Sequence, residues 1–141
     1  METLEIWHDM VRRRDLARLD EILAEDCVFI SPIVHTPQQG RELTQLYLTG
    51  AANVFNDSFQ YLKEIVTPQH AVLEFTCDVD GIVVNGVDIM TFDDADKIVE
   101  FKVMVRPLKA VNLMREKMQA MLDNLATPQL SKVATCPLQM R

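Results

Sequence analysis

In the stretch GVDIMTFDD, residues 86–94, one carboxylate, Asp88, stands among Val87, Ile89 and Met90. A carboxyl group in an apolar strand either faces water or is held inside. Inside, it costs free energy unless it is paired, hydrogen-bonded or protonated. With its pKa raised by burial it becomes a proton donor and acceptor of the kind acid/base catalysis uses. The structural alternative is a buried, hydrogen-bonded aspartate that fixes strand geometry. His35, in the loop after Ser31-Pro32, is placed either to reach a pocket mouth or simply to be solvated, and Tyr47 either lends a hydroxyl to a pocket or packs in the core. No Ser-His-Asp, Cys-His or phosphate-cradling glycine pattern stands out. Cys27, Cys77 and Cys136 are too few and too widely spaced for a disulfide framework or a zinc site, so no metal and no cofactor are expected.

The elements that must position Asp88 follow from periodicity. Leu4, Trp7 and Val11 mark one face of a first helix, and Leu16, Leu19, Ile22 and Leu23 that of a second, with Asp15 as its cap. EDCVFISP reads as a short strand closed by Pro32. Thr36-Pro37-Gln38-Gln39 fits a capping box for a third helix, although Gly40 allows a start at Arg41; Leu43, Leu46, Tyr47 and Val54 lie along its face. Residues 58–67 form a strand. HAVLEFTCDVDG places Ala71, Leu73, Phe75, Cys77 and Val79 on one row and mostly polar residues on the other, then turns at Asp80-Gly81. KIVEFKVMVRP has a row of Val99, Phe101, Val103 and Val105 opposite Ile98, Glu100, Lys102, Met104 and Arg106. A last helix over 108–122 carries Val111, Met114, Met118 and Met121. This order predicts an α+β layer design, with helices on one face of a curved antiparallel sheet. Residues 1–122 form one domain and 123–141 a C-terminal tail.

Register assigns Asp88 a face. With DDAD, residues 93–96, as a four-residue hairpin loop, Phe92 faces Lys97, Met90 faces Val99, Asp88 faces Phe101 and Gly86 faces Val103. Opposed residues share a face, so Asp88 lies on the apolar side. A loop one residue longer or shorter reverses that conclusion.

The 141 residues suit a single core. A net charge of −7 disfavours nucleic acid and an anionic membrane surface as partners, since both repel an acidic surface. The N-terminal METLEIWHDMVRRRD lacks the apolar segment of a signal peptide, and no apolar run has membrane-spanning length. A cytoplasmic location is expected.

Taken in order, the helix pair, AEDCVFISP, GREL, DG, GVDIMTFDDADKI and VRPL resemble the NTF2-like superfamily, which includes the SnoaL-like polyketide cyclases and the ketosteroid isomerases. The likeness runs over residues 3–122. It implies a cystatin-like cone: a strongly bent sheet packed on the N-terminal helices, a C-terminal helix, and a deep hydrophobic pocket open at one end. It also implies a homodimer through the outer sheet face, where Glu74, Glu100, Lys102 and Met104 lie.

Asp88 falls on the oxyanion-hole aspartic acid of the ketosteroid isomerases, which an apolar site keeps neutral. Their general-base aspartate is replaced here by Ser31, and the tyrosine of their first helix by Trp7, whose indole can donate a hydrogen bond but is no comparable acid. Steroid isomerase activity is therefore not expected. The epoxide hydrolases of the superfamily pair an arginine with an aspartate two positions on, and the residue two before Asp88 is Gly86. The resemblance thus implies a SnoaL-like protein holding a small hydrophobic or aromatic ligand, with isomerase- or cyclase-type acid/base chemistry through Asp88. Trp7, Phe29, Ser31, His35, Tyr47, Leu73, Phe75, Met90, Phe101, Val103 and Val105 are the expected ligand-binding residues. The alternative is a non-catalytic ligand-binding or dimerisation module.

Overall fold

The structure, a computed structural model, describes residues 2–125. The elements run α1 (Glu2–Arg13), α2 (Leu19–Ile22), β1 (Leu23–Ile30), β2 (Gln38–Gln39), α3 (Arg41–Val54), β3 (Gln60–Val66), β4 (His70–Val79), β5 (Ile82–Phe92), β6 (Ile98–Arg106) and α4 (Leu108–Leu125). The last helix extends past its expected end at 122. The rest of the expected tail, from 126, lies outside the described residues, as does Cys136.

Six strands form one curved sheet in the order β2-β1-β6-β5-β4-β3. The α+β architecture is the expected one, with one correction. The sheet is not wholly antiparallel, because β1 runs parallel to β6 while every other pair is antiparallel. The physical reason is connectivity: α3 and the β3–β5 meander separate β1 from β6, and a long crossover permits parallel pairing where a hairpin does not.

α1 buries Leu4, Trp7 and Met10, with Glu2 and Glu5 in its first turn and Arg12 and Arg13 in its last, the charge order that suits the helix dipole. The second helix is shorter than its apolar stripe suggests. Asp15 does not cap it: its side chain accepts the Ala17 N–H in a local turn, and only Leu19–Ile22 is helical. α3 begins at Arg41, after Gly40 at φ 99°, a conformation that favours glycine. Gln38 and Gln39 belong to the short strand β2 rather than to a capping box.

The hairpin joining β5 and β6 is the feature on which the face of Asp88 depends. Phe92 pairs with Ile98, not Lys97, so the loop is one residue longer than DDAD. Alone, that slip would turn Asp88 outward. An irregularity between Phe92 and Thr91 then places Val99 as an extra residue on β6 and restores the parity. Beyond it Met90 pairs with Phe101, Asp88 with Val103 and Gly86 with Val105. Each partner is two residues further along than expected, but the face is the same. The bulge also turns Ile98 inward, where it is fully buried, although simple alternation puts it on the outer row.

On the other side of β5, Leu73 pairs with Asp88 and Phe75 with Gly86. Gly86 is buried, and a Cβ built there would lie 2.6 and 2.9 Å from two Phe75 ring atoms and 2.6 Å from the Met104 carbonyl oxygen. The Phe75 ring therefore occupies the space a side chain at 86 would need. An arginine in that position has no room, which explains in packing terms the departure from the epoxide hydrolase pattern. Gly86→Ala is expected to lower stability by about 1–3 kcal/mol through overpacking, read as a fall in thermal midpoint. An unchanged midpoint would mean that Phe75 does not lie on Gly86.

Candidate functional site

Between the concave face of the sheet and helices α1, α3 and α4 lies a cavity of about 510 Å³. Its floor is built from strands: Phe29 from β1, Phe101, Val103 and Val105 from β6, Asp88 from β5, Phe75 from β4 and Tyr61 from β3. Trp7 and Met10 enter from α1, Tyr47 and Leu48 from α3, and Met114 and Met118 from α4. The aromatic rings lock one another. Trp7 meets Phe101 edge-on at 5.1 Å, Phe59 stacks on Phe75 at 5.1 Å, and Phe59 meets Tyr61 edge-on at 5.2 Å.

Asp88 borders this cavity and is 6% exposed. Its partner is Tyr61, whose hydroxyl donates to Oδ2 at 2.6 Å. The Tyr61 oxygen in turn accepts the Trp7 indole N–H at 2.9 Å. An indole nitrogen can only donate, so the direction of the whole chain is fixed: Trp7 to Tyr61, Tyr61 to Asp88. Tyr61 as a residue is half-buried, but its hydroxyl is enclosed between the other two groups.

Two opposing effects set the charge of Asp88. Burial raises its pKa, and the Tyr61 hydrogen bond lowers it by favouring the anion, leaving it at about 7 against an ordinary 3.8. Tyr61 is driven well above the ordinary phenol value, first by burial and then by the Asp88 carboxyl, so it remains a neutral donor. The other charged or basic side chains around the cavity are more exposed than Asp88. Arg14 pairs with Asp57, whose side chain is 94% exposed, and Arg12 pairs with Asp9. His8, edge-on to Tyr61, lies 2.9 Å from Glu64 through Nε2. Asp88 is thus the enclosed carboxyl.

Of the residues named from sequence, the structure brings Trp7, Phe29, Ser31, Tyr47, Phe75, Asp88, Phe101, Val103 and Val105 to one cavity. Three do not border it, and these are corrections. Leu73 and Met90 are fully buried in the core, where they flank the cavity floor without reaching the space above it. His35 is exposed and does not border the cavity, although Val34 beside it is buried and does. Ser31 is at the cavity wall, but its Oγ is engaged as an acceptor for the Ile33 and Val34 amides at 2.9 and 3.4 Å. Tyr61 was missed. Its pairing with Phe75 puts it on the inward row, but β3 shifts register between Tyr61 and Glu64, which erases the period-2 signal that would have oriented it.

With this geometry in place, comparison with known proteins defines the class. The SnoaL-like domain model matches residues 4–101, and the chain belongs to that family. A steroid delta-isomerase from Pseudomonas aeruginosa is 36% identical, with 88% of this chain and 91% of that one aligned at a TM-score of 0.85. An uncharacterised protein with a cystatin-like fold from Silicibacter pomeroyi DSS-3 is 27% identical over 96% and 93% of the two chains, with a TM-score of 0.83. An NTF2-like protein from Mesorhizobium loti shares the fold, at 24% identity, 75% and 89% coverage and a TM-score of 0.66. No curated protein matches the chain.

Two outcomes follow for the carboxyl. Because the folded pKa of Asp88 is raised, its contribution to stability is full below pH 3.8 and is lost as pH rises to about 7. Asp88→Asn removes that dependence. The variant is expected to be more stable than the parent at pH 8, on the order of a few kcal/mol at most, with the gap closing towards pH 4. Thermal midpoints across pH 4–8 measure it, and parallel curves would refute the burial of an ionising group here. Separately, Tyr61→Phe takes away the bond that favours the anion, so the Asp88 carboxyl resonance, followed by ¹³C NMR, should titrate above its parental value of about 7.

Proposed function

We propose that the protein binds a small, mainly apolar molecule carrying an oxygen function in this cavity, and that Asp88 exchanges a proton with it. The observation that carries this reading is the directed chain from Trp7 through Tyr61 to a carboxyl poised near neutrality in an apolar chamber. A general acid/base works best when its pKa lies near the working pH. Tyr61 takes Oδ2, and Oδ1 is the oxygen left for a ligand. The reaction class is a proton transfer of the isomerase or cyclase type: Asp88 removes a proton from an activated carbon or hydroxyl and returns it at a second position. Tyr61 and Trp7 hold the carboxylate as its charge changes. The family membership and the 36% identical protein described as a steroid delta-isomerase support this class. Ser31 cannot act as a second carboxylate, so a single acid/base must serve both half-steps.

The test uses a simple carbon acid, 2-tetralone, in deuterated buffer. Its α-proton exchange, followed by ¹H NMR, is expected to accelerate with protein, to rise between pH 5 and 8 with a midpoint near 7, and to fall by ~10²-fold or more in Asp88→Asn. Exchange at the buffer rate, or exchange indifferent to Asp88, would overturn the catalytic reading. Unchanged ligand binding in that case would leave a non-catalytic binding module. One observation favours that second reading: among the described residues the cavity wall offers no second enclosed carboxylate.

We further infer that two chains pair through the outer sheet face. Val83 and Met104 are each 56% exposed there, beside Glu74, Glu100 and Lys102. Glu100 and Lys102, of opposite charge on one face, can complement their own copies across a two-fold axis. Asn85 ties the rim together, donating to Glu74 at 3.1 Å and accepting from Arg106 at 3.3 Å. Met104→Glu is expected to shift the light-scattering mass from dimer to monomer, and a monomeric parent would refute the pairing.

A further inference from the structure

A cavity opens where the residues that line it also meet solvent. Among the described residues bordering this one, Arg12, Arg14, Asn56, Asp57 and Gln60 are exposed, and every other is half-buried or buried. The exposed ones belong to two segments, the end of α1 with the turn after it and the connection from α3 to β3. One side chain spans the two. Arg14 donates to Asp57 Oδ1 at 2.5 Å and to the Phe55 carbonyl at 2.9 Å. That far side is firmly seated: the Phe55 ring packs on Phe59 at 5.1 Å and on Phe75 at 5.4 Å. The near side is a helix end with an unusual occupant. The Arg14 N–H bonds to the Val11 carbonyl at 3.1 Å and the Asp15 N–H to the Met10 carbonyl at 3.0 Å, the bond pair of a Schellman motif, with Arg14 at φ 56° where glycine is the usual residue. The turn needs no side chain at that position, and the left-handed backbone is costly to any residue that has one. The side chain present there reaches across to the other rim.

We propose that the Arg14 side chain is a strap across the cavity mouth, which swings aside for a small apolar molecule to enter or leave. This rests on the proposed occupancy of the cavity and adds a control on exchange. The strap is built to open. The Arg14 side chain is 45% exposed and that of Asp57 94%, and an ion pair so open to water holds weakly. The bond to the Phe55 carbonyl is the firmer of the two, since Phe55 caps the C-terminal end of α3, where carbonyls lack helical partners and the helix dipole favours a cation. Both partners of the guanidinium belong to the protein, and neither is a group that a ligand would need. The strap therefore closes over a filled and an empty cavity alike. It slows entry and release by the same factor and leaves affinity unchanged, the signature of a gate rather than of a contact.

The test follows 4-nitroanisole, a neutral aromatic probe whose nitro group quenches indole fluorescence. Stopped-flow quenching of Trp7, the single tryptophan of the chain, which borders the cavity, reads its entry and release. Two variants remove the strap in different ways. Arg14→Gly suits the left-handed backbone, and Arg14→Gln keeps a long side chain but loses the charge and the fork of donors. In both, the association and dissociation rate constants are expected to rise together by about fivefold, the weight of one ordinary hydrogen bond, with Kd unchanged. Acrylamide quenching of Trp7 in the ligand-free protein should rise in both as well. Faster exchange in Arg14→Gly alone would trace to the backbone freedom of glycine and overturn the proposal. A weaker Kd with association unchanged would make Arg14 a ligand contact, which also overturns it. Rates unchanged in both variants, or acrylamide quenching unchanged, would place the mouth elsewhere and remove the strap while leaving the occupied cavity intact. Absence of 4-nitroanisole binding to the parent would overturn the occupancy reading and the strap with it, so the two failures are distinguishable.

Discussion

A carboxyl group placed on the inner face of an apolar sheet must be given a donor or be held neutral, and the structure meets that constraint at Asp88 with three elements at once. The indole of α1 donates to the phenol of β3, and that phenol donates to the carboxyl of β5. These elements are far apart in sequence, and the chain of bonds closes only when α1 is seated on the concave face and β3 is paired at the sheet edge. A net hydrogen bond between neutral groups contributes about 1 kcal/mol, and one to an ionised group more. The two bonds therefore add little to total stability beside the surrounding aromatic core. Their importance is in orientation. They fix which oxygen of Asp88 is occupied, which way Tyr61 points, and why its proton cannot be turned towards Trp7.

The same site depends on two backbone accommodations. The extra residue at Val99 corrects a hairpin loop that would otherwise turn Asp88 to the convex face. Gly86 leaves the Phe75 ring room to lie across β5, and Phe75 then forms part of the cavity floor beside Tyr61, with which it pairs in the sheet. A side chain at 86 would clash with that ring and with the Met104 carbonyl. Position 86 therefore governs what position 88 can do, although it carries no chemistry itself. It also separates this chain from the arginine-aspartate arrangement of the epoxide hydrolases, which needs a long side chain where this sheet has none.

Much of this arrangement was legible in the sequence, for identifiable reasons. The row Ala71, Leu73, Phe75, Cys77 and Val79 alternates without interruption, so β4 and its inward face could be read directly, and all five residues are buried. The side of Asp88 was also read correctly, but through two departures that cancel, a longer loop and a compensating bulge; neither leaves a mark in an alternating pattern. Leu73 and Met90 were expected at the cavity because periodicity separates inward from outward, and it cannot separate the core beneath a cavity floor from the floor itself. The converse holds for Val103 and Val105, which are inward yet only partly buried because the cavity, not packed side chains, lies over them. Tyr61 was invisible for a different reason. It lies on an edge strand whose other residues are exposed and whose register shifts just beyond it, so its inward orientation is a tertiary fact.

The departures from the ketosteroid isomerase pattern take on a different meaning once Tyr61 is in place. In that pattern a tyrosine of the first helix stands beside the aspartic acid, and here the helix supplies Trp7. The phenol is nonetheless present, delivered from β3, and the indole supports it from the helix side. The donor here comes from a different element and still reaches the carboxyl. The second change runs the other way. Ser31 stands where the resemblance puts the base of that pattern, and its oxygen accepts from the Ile33 and Val34 amides in the loop along the cavity wall. Where that pattern has two carboxylates, the cavity here has one enclosed carboxyl among the described residues. In the proposed role Asp88 would both take and release the proton, which asks for a pKa near neutrality. The balance at Asp88 between burial, which favours the acid, and the Tyr61 bond, which favours the anion, supplies that condition.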